Sequence, residues 1–171
     1  MSTRPNRRPG DDPGPDPSHD PGRDREPGAP AGASDELRAL RRRTEALLDE
    51  SVREYRAVAD RYEVPYQDTH VIVHPLDWTR GRTLLRFIAP VIVDVMPVPA
   101  LHARLSELNN STIFGKFYVA DGTVFIEHDL LGESVDRAQF RAVLASVAHH
   151  ADHLDEPLLA EFGGRKWGGA D

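Results

Sequence analysis

The residues best suited to chemistry lie in one short run near the C-terminal end, HHADHLD at positions 149–155. His149 and His153 are four residues apart, so on a helix their imidazoles share a face and can hold one metal ion. The residue after the first histidine is His150, not the glutamate that serves as general base in zinc proteases. The run therefore has the spacing of a metal-binding helix without its catalytic base.

A catalytic zinc also needs a third protein ligand. Only His74 and His128 could supply it, and each reads as an ordinary strand residue. The apolar stripe of the same helix (Val147, Ala151, Leu154) turns the two spaced histidines toward solvent or toward the edge of the stripe. We therefore predict no metal site, and keep a metal-binding or pH-sensing role as the alternative, since neighbouring imidazoles titrate near neutrality.

Other catalytic patterns are weaker still. Glu127 and Asp129 alternate along one face of a predicted strand and could share acid and base roles, but nothing near them in the sequence indicates raised pKa values. Residues 114–116 read Phe-Gly-Lys without the spacing of a phosphate-binding loop, and no serine sits in a nucleophile elbow. We predict that the protein is not an enzyme and uses no cofactor.

Composition limits the class of protein. The chain has 171 residues, of which 29% are charged and 39% hydrophobic, enough for one domain with a core. There is no cysteine, which excludes disulfides and thiolate metal sites. The net charge of -7 argues against nucleic acid as the main partner.

Two segments bear on location. The most apolar stretch, 87–98, is interrupted by Pro90, Asp94 and Pro97 and is shorter than the roughly 20 residues of a membrane helix. Residues 1–12 carry prolines and charges where a secretory signal needs an apolar region. We therefore expect a cytoplasmic protein with no membrane contact.

Proline marks the domain boundary. Eight of the fourteen prolines fall within residues 1–33, among Gly, Asp and Arg and almost nothing that could be buried. Such a segment cannot offset its ordering entropy. We predict a disordered tail at 1–34, a folded domain at 35–164 and a flexible C-terminus at 165–171.

The first predicted helix is long. Ser34 is a suitable N-cap and is followed by acidic residues that favour a helix N-terminus. Pro65 ends the segment. Its stripe of apolar and small residues follows a 3/4 spacing: Leu37, Leu40, Thr44, Leu47, Ser51, Tyr55, Val58 and Tyr62.

Two further helices are predicted. Pro97 and Pro99 open one that stops at Asn109-Asn110, and Ser134 caps another that ends at Gly163-Gly164. Their buried stripes are Leu101, Leu105 and Leu108, and then Phe140, Val143, Leu144, Val147, Ala151 and Leu154.

Strand patterns fill the intervals. The predicted strands cover 69–74, 83–89, 91–96, 113–120 and 123–129, and Asp121-Gly122 favours a two-residue hairpin turn between the last two. The order is helix, three strands, helix, two strands, helix. Short connections then predict an α+β fold, an antiparallel sheet with helices on one face.

One face of the predicted hairpin suggests a partner. Alternation places Phe114, Tyr118 and Phe125 among the charges of the face opposite the core. Aromatic side chains on a solvated sheet face are typical of a peptide groove or a dimer interface. We predict these three residues as the partner-binding site.

Three segments carry a family resemblance: TLLRFIAPV at 83–91, LSELNNSTIFGKFY at 105–118 and VFIEHDLL at 124–131. Together with the order of elements they resemble the YbjN-like, type III secretion chaperone-like (TY-Chap) domains of actinobacteria, over about residues 35–164. The resemblance implies a chaperone-like fold, usually a homodimer, that binds a polypeptide client.

Overall fold

The computed structural model describes residues 33–79 and 81–167, and the others, including nearly all of the predicted tail, lie outside that description. The helices of the described part are α1 (Asp35–Ser51), α2 (Pro99–Ser111) and α3 (Arg137–Phe162). The strands are β1 (Arg56–Val58), β2 (Arg61–Tyr66), β3 (Thr69–Thr79), β4 (Arg82–Val93), β5 (Lys116–Ala120), β6 (Thr123–Leu131) and β7 (Arg165–Lys166). None of these helices is long and apolar enough to cross a membrane.

The strands form one antiparallel sheet in the order β1-β2-β3-β4-β6-β5, and β7 pairs with β4. The helices pack on one face of it, where Phe87 of β4 meets Phe140 of α3 edge to face at 5.3 Å. This confirms the predicted α+β class. The described residues hold seven strands where five were predicted, because β1, β2 and β7 were not expected and two of the predicted strands form the single strand β4.

Helix α1 is shorter than predicted. Ser34 caps it as expected, its side chain accepting from the Leu37 amide, but the helix ends at Ser51. The predicted extension to Tyr62 is wrong: Tyr62 is buried in β2, after a turn in which Ala59 has φ 56°. The helical spacing of the later apolar residues is a coincidence, since RYEVPY at 61–66 is rich in strand-forming residues.

Strand β4 joins two predicted strands into one. We expected a break at Pro90, but the chain continues through it as a central strand. The register with β6 shifts between Pro90 and Ile92, an irregularity of the kind that lets a sheet accept a proline. The strand therefore reaches the sheet's far end, where Ile92 is fully buried.

The β5–β6 hairpin was correctly predicted. Asp121 and Gly122 both have positive φ values, 48° and 72°, as a type I′ turn requires. Strand β5 begins at Lys116 rather than at position 113. This later start decides where the preceding aromatic residue lies, as described below.

Two features near α3 differ from the prediction: its N-cap and the segment that follows it. Helix α2 buries Leu101, Leu105 and Leu108 as expected. Helix α3 is capped by Asp136, not Ser134, in a reciprocal capping box with Gln139. Regular structure continues beyond Gly163, because Arg165–Lys166 pairs with β4. The flexible C-terminus was expected to include this pair.

Candidate functional site

The sheet face opposite the helices is the surface that we call the open face. In β2, β3 and the first part of β4 its residues are half-buried or exposed and alternate with buried ones, and in the described part of the chain no helix packs over it. It is formed by Arg56, Arg61, Glu63, His70, Ile72, His74, Leu76, Leu84, Arg86, Ile88, Lys116, Tyr118, Phe125, Glu127 and Asp129.

An aromatic pair lies on the open face, at the β5–β6 hairpin. Tyr118 and Phe125 are cross-strand partners, and their rings stack with centroids 5.5 Å apart at an angle of 29°. Both are only half-buried. Stacked rings that keep accessible area offer a rigid apolar contact, which is what a binding surface for polypeptides needs.

A buried carboxylate holds the tyrosine in place. Glu127 is only 4% exposed, although it lies on the open face. Its Oε2 accepts from the Tyr118 hydroxyl at 2.9 Å. Its Oε1 lies 3.3 Å from Arg86 Nη2 and 3.1 Å from Lys116 Nζ. The charge is therefore compensated within the face.

Arg86 joins this carboxylate to a second one. Its Nε and Nη2 each donate to one oxygen of Asp129 at 2.9 Å, a bidentate pair. This hydrogen bond to Asp129 raises the pKa of Arg86, and burial together with the Glu127 contact raises the pKa of Tyr118. Arg86 and Tyr118 are thus held in their protonated forms, which suits a structural network.

Aliphatic residues extend the apolar surface beyond the hairpin. Ile72 and Ile88 face each other across β3 and β4, and Leu76 faces Leu84 on the far side of the His74–Arg86 pair. All four are half-buried. The open face therefore combines an aromatic pair, aliphatic pairs and a central band of ion pairs.

Phe114 lies elsewhere. Because β5 starts at Lys116, Phe114 is in the preceding loop, where its ring meets His128 at 5.6 Å on the helix-facing side. Its carbonyl accepts from the Ser146 hydroxyl of α3. The structure thus brings together two of the three predicted binding residues and separates the third.

The two spaced histidines of the run lie on the outer surface of α3, whereas His150 is half-buried and Asp155 is buried. The rings of His149 and His153 stack at 5.5 Å and 11°, as their spacing predicted, and both residues are exposed. Among residues 33–79 and 81–167, no three metal-binding side chains come together. The two residues considered as a third ligand have other partners. The His74 ring contacts the Asp60 carboxylate on the open face, and the His128 ring packs against Phe114.

A second concave surface was not expected from the sequence. A groove of about 520 Å³ lies on the helix side, between residues 51–54, the β2–β3 turn and α3. Val64, Val71, Leu144 and Ala148 contribute apolar walls. The groove begins where α1 ends, at Ser51. The predicted helix continued beyond Ser51 and left no room for a groove there.

On each side of the sheet one position is unsuited to pairing with another strand. At β5, the Asn109 side chain accepts from the Phe117 amide at 2.6 Å and donates to its carbonyl at 3.0 Å. At β2, the segment beyond its pairing with β1 contains Pro65, which has no amide hydrogen. A partner therefore meets side chains on the face more readily than main chain at an edge.

Fold and site together define a small α+β binding module with a half-apolar sheet face. The family model described as T3SS (YopN, CesT) and YbjN peptide-binding chaperone 1, TY-Chap1, matches residues 38–168. The chain belongs to this family, as its sequence resemblance indicated. No curated protein matches it.

Proposed function

We propose that this protein is a non-enzymatic, chaperone-like module that binds a polypeptide client on the open face. The observation that carries the proposal is the stacked, half-exposed pair Tyr118 and Phe125 beside a buried ion network. Family membership supports the peptide-binding class. The residues of contact are our inference from geometry.

The mode of binding follows from the edges and the face. Because Asn109 occupies the β5 edge and Pro65 interrupts the β2 edge, affinity comes from side-chain contacts. The rings are pre-oriented by Tyr118's hydrogen bond to Glu127, which lowers the entropy lost on binding. A client then needs apolar side chains more than a particular strand register.

The test is selection from a phage-displayed library of random dodecapeptides, using the full chain as bait. Selected peptides are then measured by fluorescence anisotropy on the variant Tyr118→Ser/Phe125→Ser. We expect at least a tenfold loss of affinity, as for removal of central apolar contacts. Ile113→Ser is the matched control, since Ile113 is 86% exposed but lies outside the open face. Equal losses in both variants would count against the proposed site.

A homodimer through the same face is a second proposal, favoured by the same half-exposed rings. Sedimentation velocity of the wild type and of Tyr118→Ser/Phe125→Ser separates the two uses. A dimer that dissociates in the variant assigns the face to self-association. A wild type that stays monomeric over the measured concentrations leaves the face to a client.

A further inference from the structure

Charges on the open face are layered by depth. In the ion pairs that arginine and lysine make on this face, the cation is more exposed than the carboxylate: 76% for Arg56 against 19% for Glu63, and 63% for Lys116 against 5% for Glu127. The pair of His74 with Asp60 has the opposite order, 24% against 55%. In the arginine and lysine pairs the carboxylate lies close to the sheet and the long basic side chain extends over it, so the outermost charges of these pairs are positive.

The charge of this face differs from that of the whole chain. Its strands carry four cations (Arg56, Arg61, Arg86, Lys116) and three carboxylates (Glu63, Glu127, Asp129), and Asp60 in the β1–β2 turn adds an exposed carboxylate beside His74, so the face is balanced in charge, whereas the whole chain has a net charge of -7. The two most exposed of the four cations are Arg56 and Lys116. Exposed ion pairs are weak in water, so these cations can re-pair with carboxylates that arrive from a partner.

The sheet register gives the charges an order. One row of paired residues crosses six strands: Arg56, Glu63, Ile72, Ile88, Glu127 and Lys116. Exposed cations stand at both ends of this row, and two half-buried isoleucines stand at its centre. The ends are about 24 Å apart, because five strand spacings of roughly 4.8 Å separate them.

A depression lies at one end of the row. It has a volume of about 360 Å³ and is lined by Glu54, Tyr55, Arg56, Glu63, Pro65 and His70. A space of this size accepts an apolar side chain beside a cation. The two ends of the row therefore differ: the depression lies at the β1 end, and the stacked rings lie near the β5 end.

We propose that the open face binds an acidic polypeptide segment whose carboxylates flank a short apolar centre. An extended segment of about seven or eight residues spans the row. Its end carboxylates pair with Arg56 and Lys116, and its centre lies on Ile72 and Ile88. This inference rests on the proposed function and names the chemical class of its client.

The experiment uses two synthetic nine-residue probes with the same centre of leucine, serine and tyrosine. One has two glutamates at each end, and the other has two lysines. Fluorescence anisotropy with the full chain at 50 mM salt is expected to show about tenfold tighter binding of the glutamate probe. The preference is expected to shrink at 500 mM salt, where exposed charges are screened.

A charge-reversed variant, Arg56→Glu/Lys116→Glu, is expected to lose the glutamate probe and to bind the lysine probe more tightly than wild type does. A gain of binding shows that the variant is folded. Arg104→Glu/Arg137→Glu makes the same change in net charge on the helix side and is expected to keep the wild-type preference.

Equal binding of both probes by the wild type would overturn the acidic preference while leaving peptide binding in place. Binding of neither probe would overturn this inference and count against the proposed function as well. A charge reversal that changes the oligomeric state but not probe binding would assign the row to a second copy and overturn the proposal.

Discussion

At the scale of single residues, the buried Glu127 is the most informative side chain. It connects the aromatic pair to the ion pairs by contacts to Tyr118, Arg86 and Lys116. Sequence alternation placed it on the correct face but predicted a solvated carboxylate. Its burial depends on the long side chains of two neighbouring strands, which a single-strand pattern does not show.

Glu127→Ala is expected to lower the free energy of unfolding by about 2 kcal/mol, because it leaves the Tyr118 hydroxyl and part of Arg86 without a partner. Glu127→Gln keeps an acceptor for the hydroxyl and is expected to cost about half as much. Urea unfolding followed by circular dichroism gives both values. Asp35→Ala, which breaks the exposed ion pair between Asp35 and Arg38, is the control. Wild-type stability in both Glu127 variants would refute the network.

The exposed histidine pair gives a second prediction at this scale. His149→Ala/His153→Ala is expected to leave peptide affinity within about twofold of wild type, since both rings lie on the outer side of α3, away from the open face. Anisotropy with a selected peptide checks this. Titration of the wild type with Zn²⁺ by calorimetry completes the test, and a loss of peptide binding in the variant would revive the alternative role.

At the scale of elements, the segments predicted correctly are those that have both a regular spacing of apolar residues and a residue that marks where the element starts or ends. Helix α2 has its prolines and three leucines, and the β5–β6 hairpin has Asp121-Gly122. Both were found where expected. Helix α1 failed at its C-terminal end because nothing in the sequence marks Ser51 as a stop, and the 3/4 spacing continues by chance into β2.

The site was predicted to the same extent. Alternation placed Tyr118 and Phe125 on the same face of the hairpin, as the structure has them, because both lie in regular strand. It misplaced Phe114, because the loop before β5 does not alternate. The cross-strand row from Arg56 to Lys116 needs the order of all six strands, and single-strand periodicity does not contain that order.

Strand β7 yields a prediction about the C-terminus. Its two residues pair with Ile92 and Val93 of β4, and Lys166 lies 3.0 Å from the largely buried Asp155. Deleting residues 165–171 is expected to cost about 1–2 kcal/mol, from partial exposure of these side chains. Deleting only 168–171 is the matched control and is expected to cost much less. Thermal unfolding of both truncations measures the difference, and equal melting temperatures would contradict it.

The hydrogen bonds between the Asn109 side chain and the edge of β5 give another prediction. Asn109→Ala removes both hydrogen bonds to the Phe117 main chain and is expected to cost about 1–2 kcal/mol. It also opens the edge, so we expect faster aggregation, measured by light scattering at elevated temperature. The neighbouring Asn110→Ala serves as control. If the two alanine variants aggregate equally, Asn109 is not protecting the edge.

At the scale of the whole molecule, acid is expected to lower stability in two steps. Burial lowers the pKa of His70 and of His128 below their ordinary value of 6.5. The unfolded chain then binds more protons than the folded one just below pH 6.5. The stabilisation from keeping these rings neutral is complete above that pH and is lost as the pH falls through the folded values.

Carboxylates act in the same direction at lower pH. The hydrogen bond from His74 lowers the pKa of Asp60 below 3.8, and the one from Arg56 lowers the pKa of Glu63 below 4.5. Their contribution is present above those ordinary values and is lost below them. The urea midpoint should therefore fall first below about pH 6.5 and again below about pH 4.5.

Replacing the two half-buried histidines separates these steps. His70→Gln/His128→Gln has no imidazole to protonate at either position, so we expect a flatter urea midpoint between pH 7 and pH 5 and an unchanged fall below that range. His102→Gln alters an exposed residue of α2 and should retain the wild-type slope. Parallel curves for the wild type and the double variant would mean that the acid sensitivity arises elsewhere, and the burial of His70 and His128 would then carry no measurable linkage.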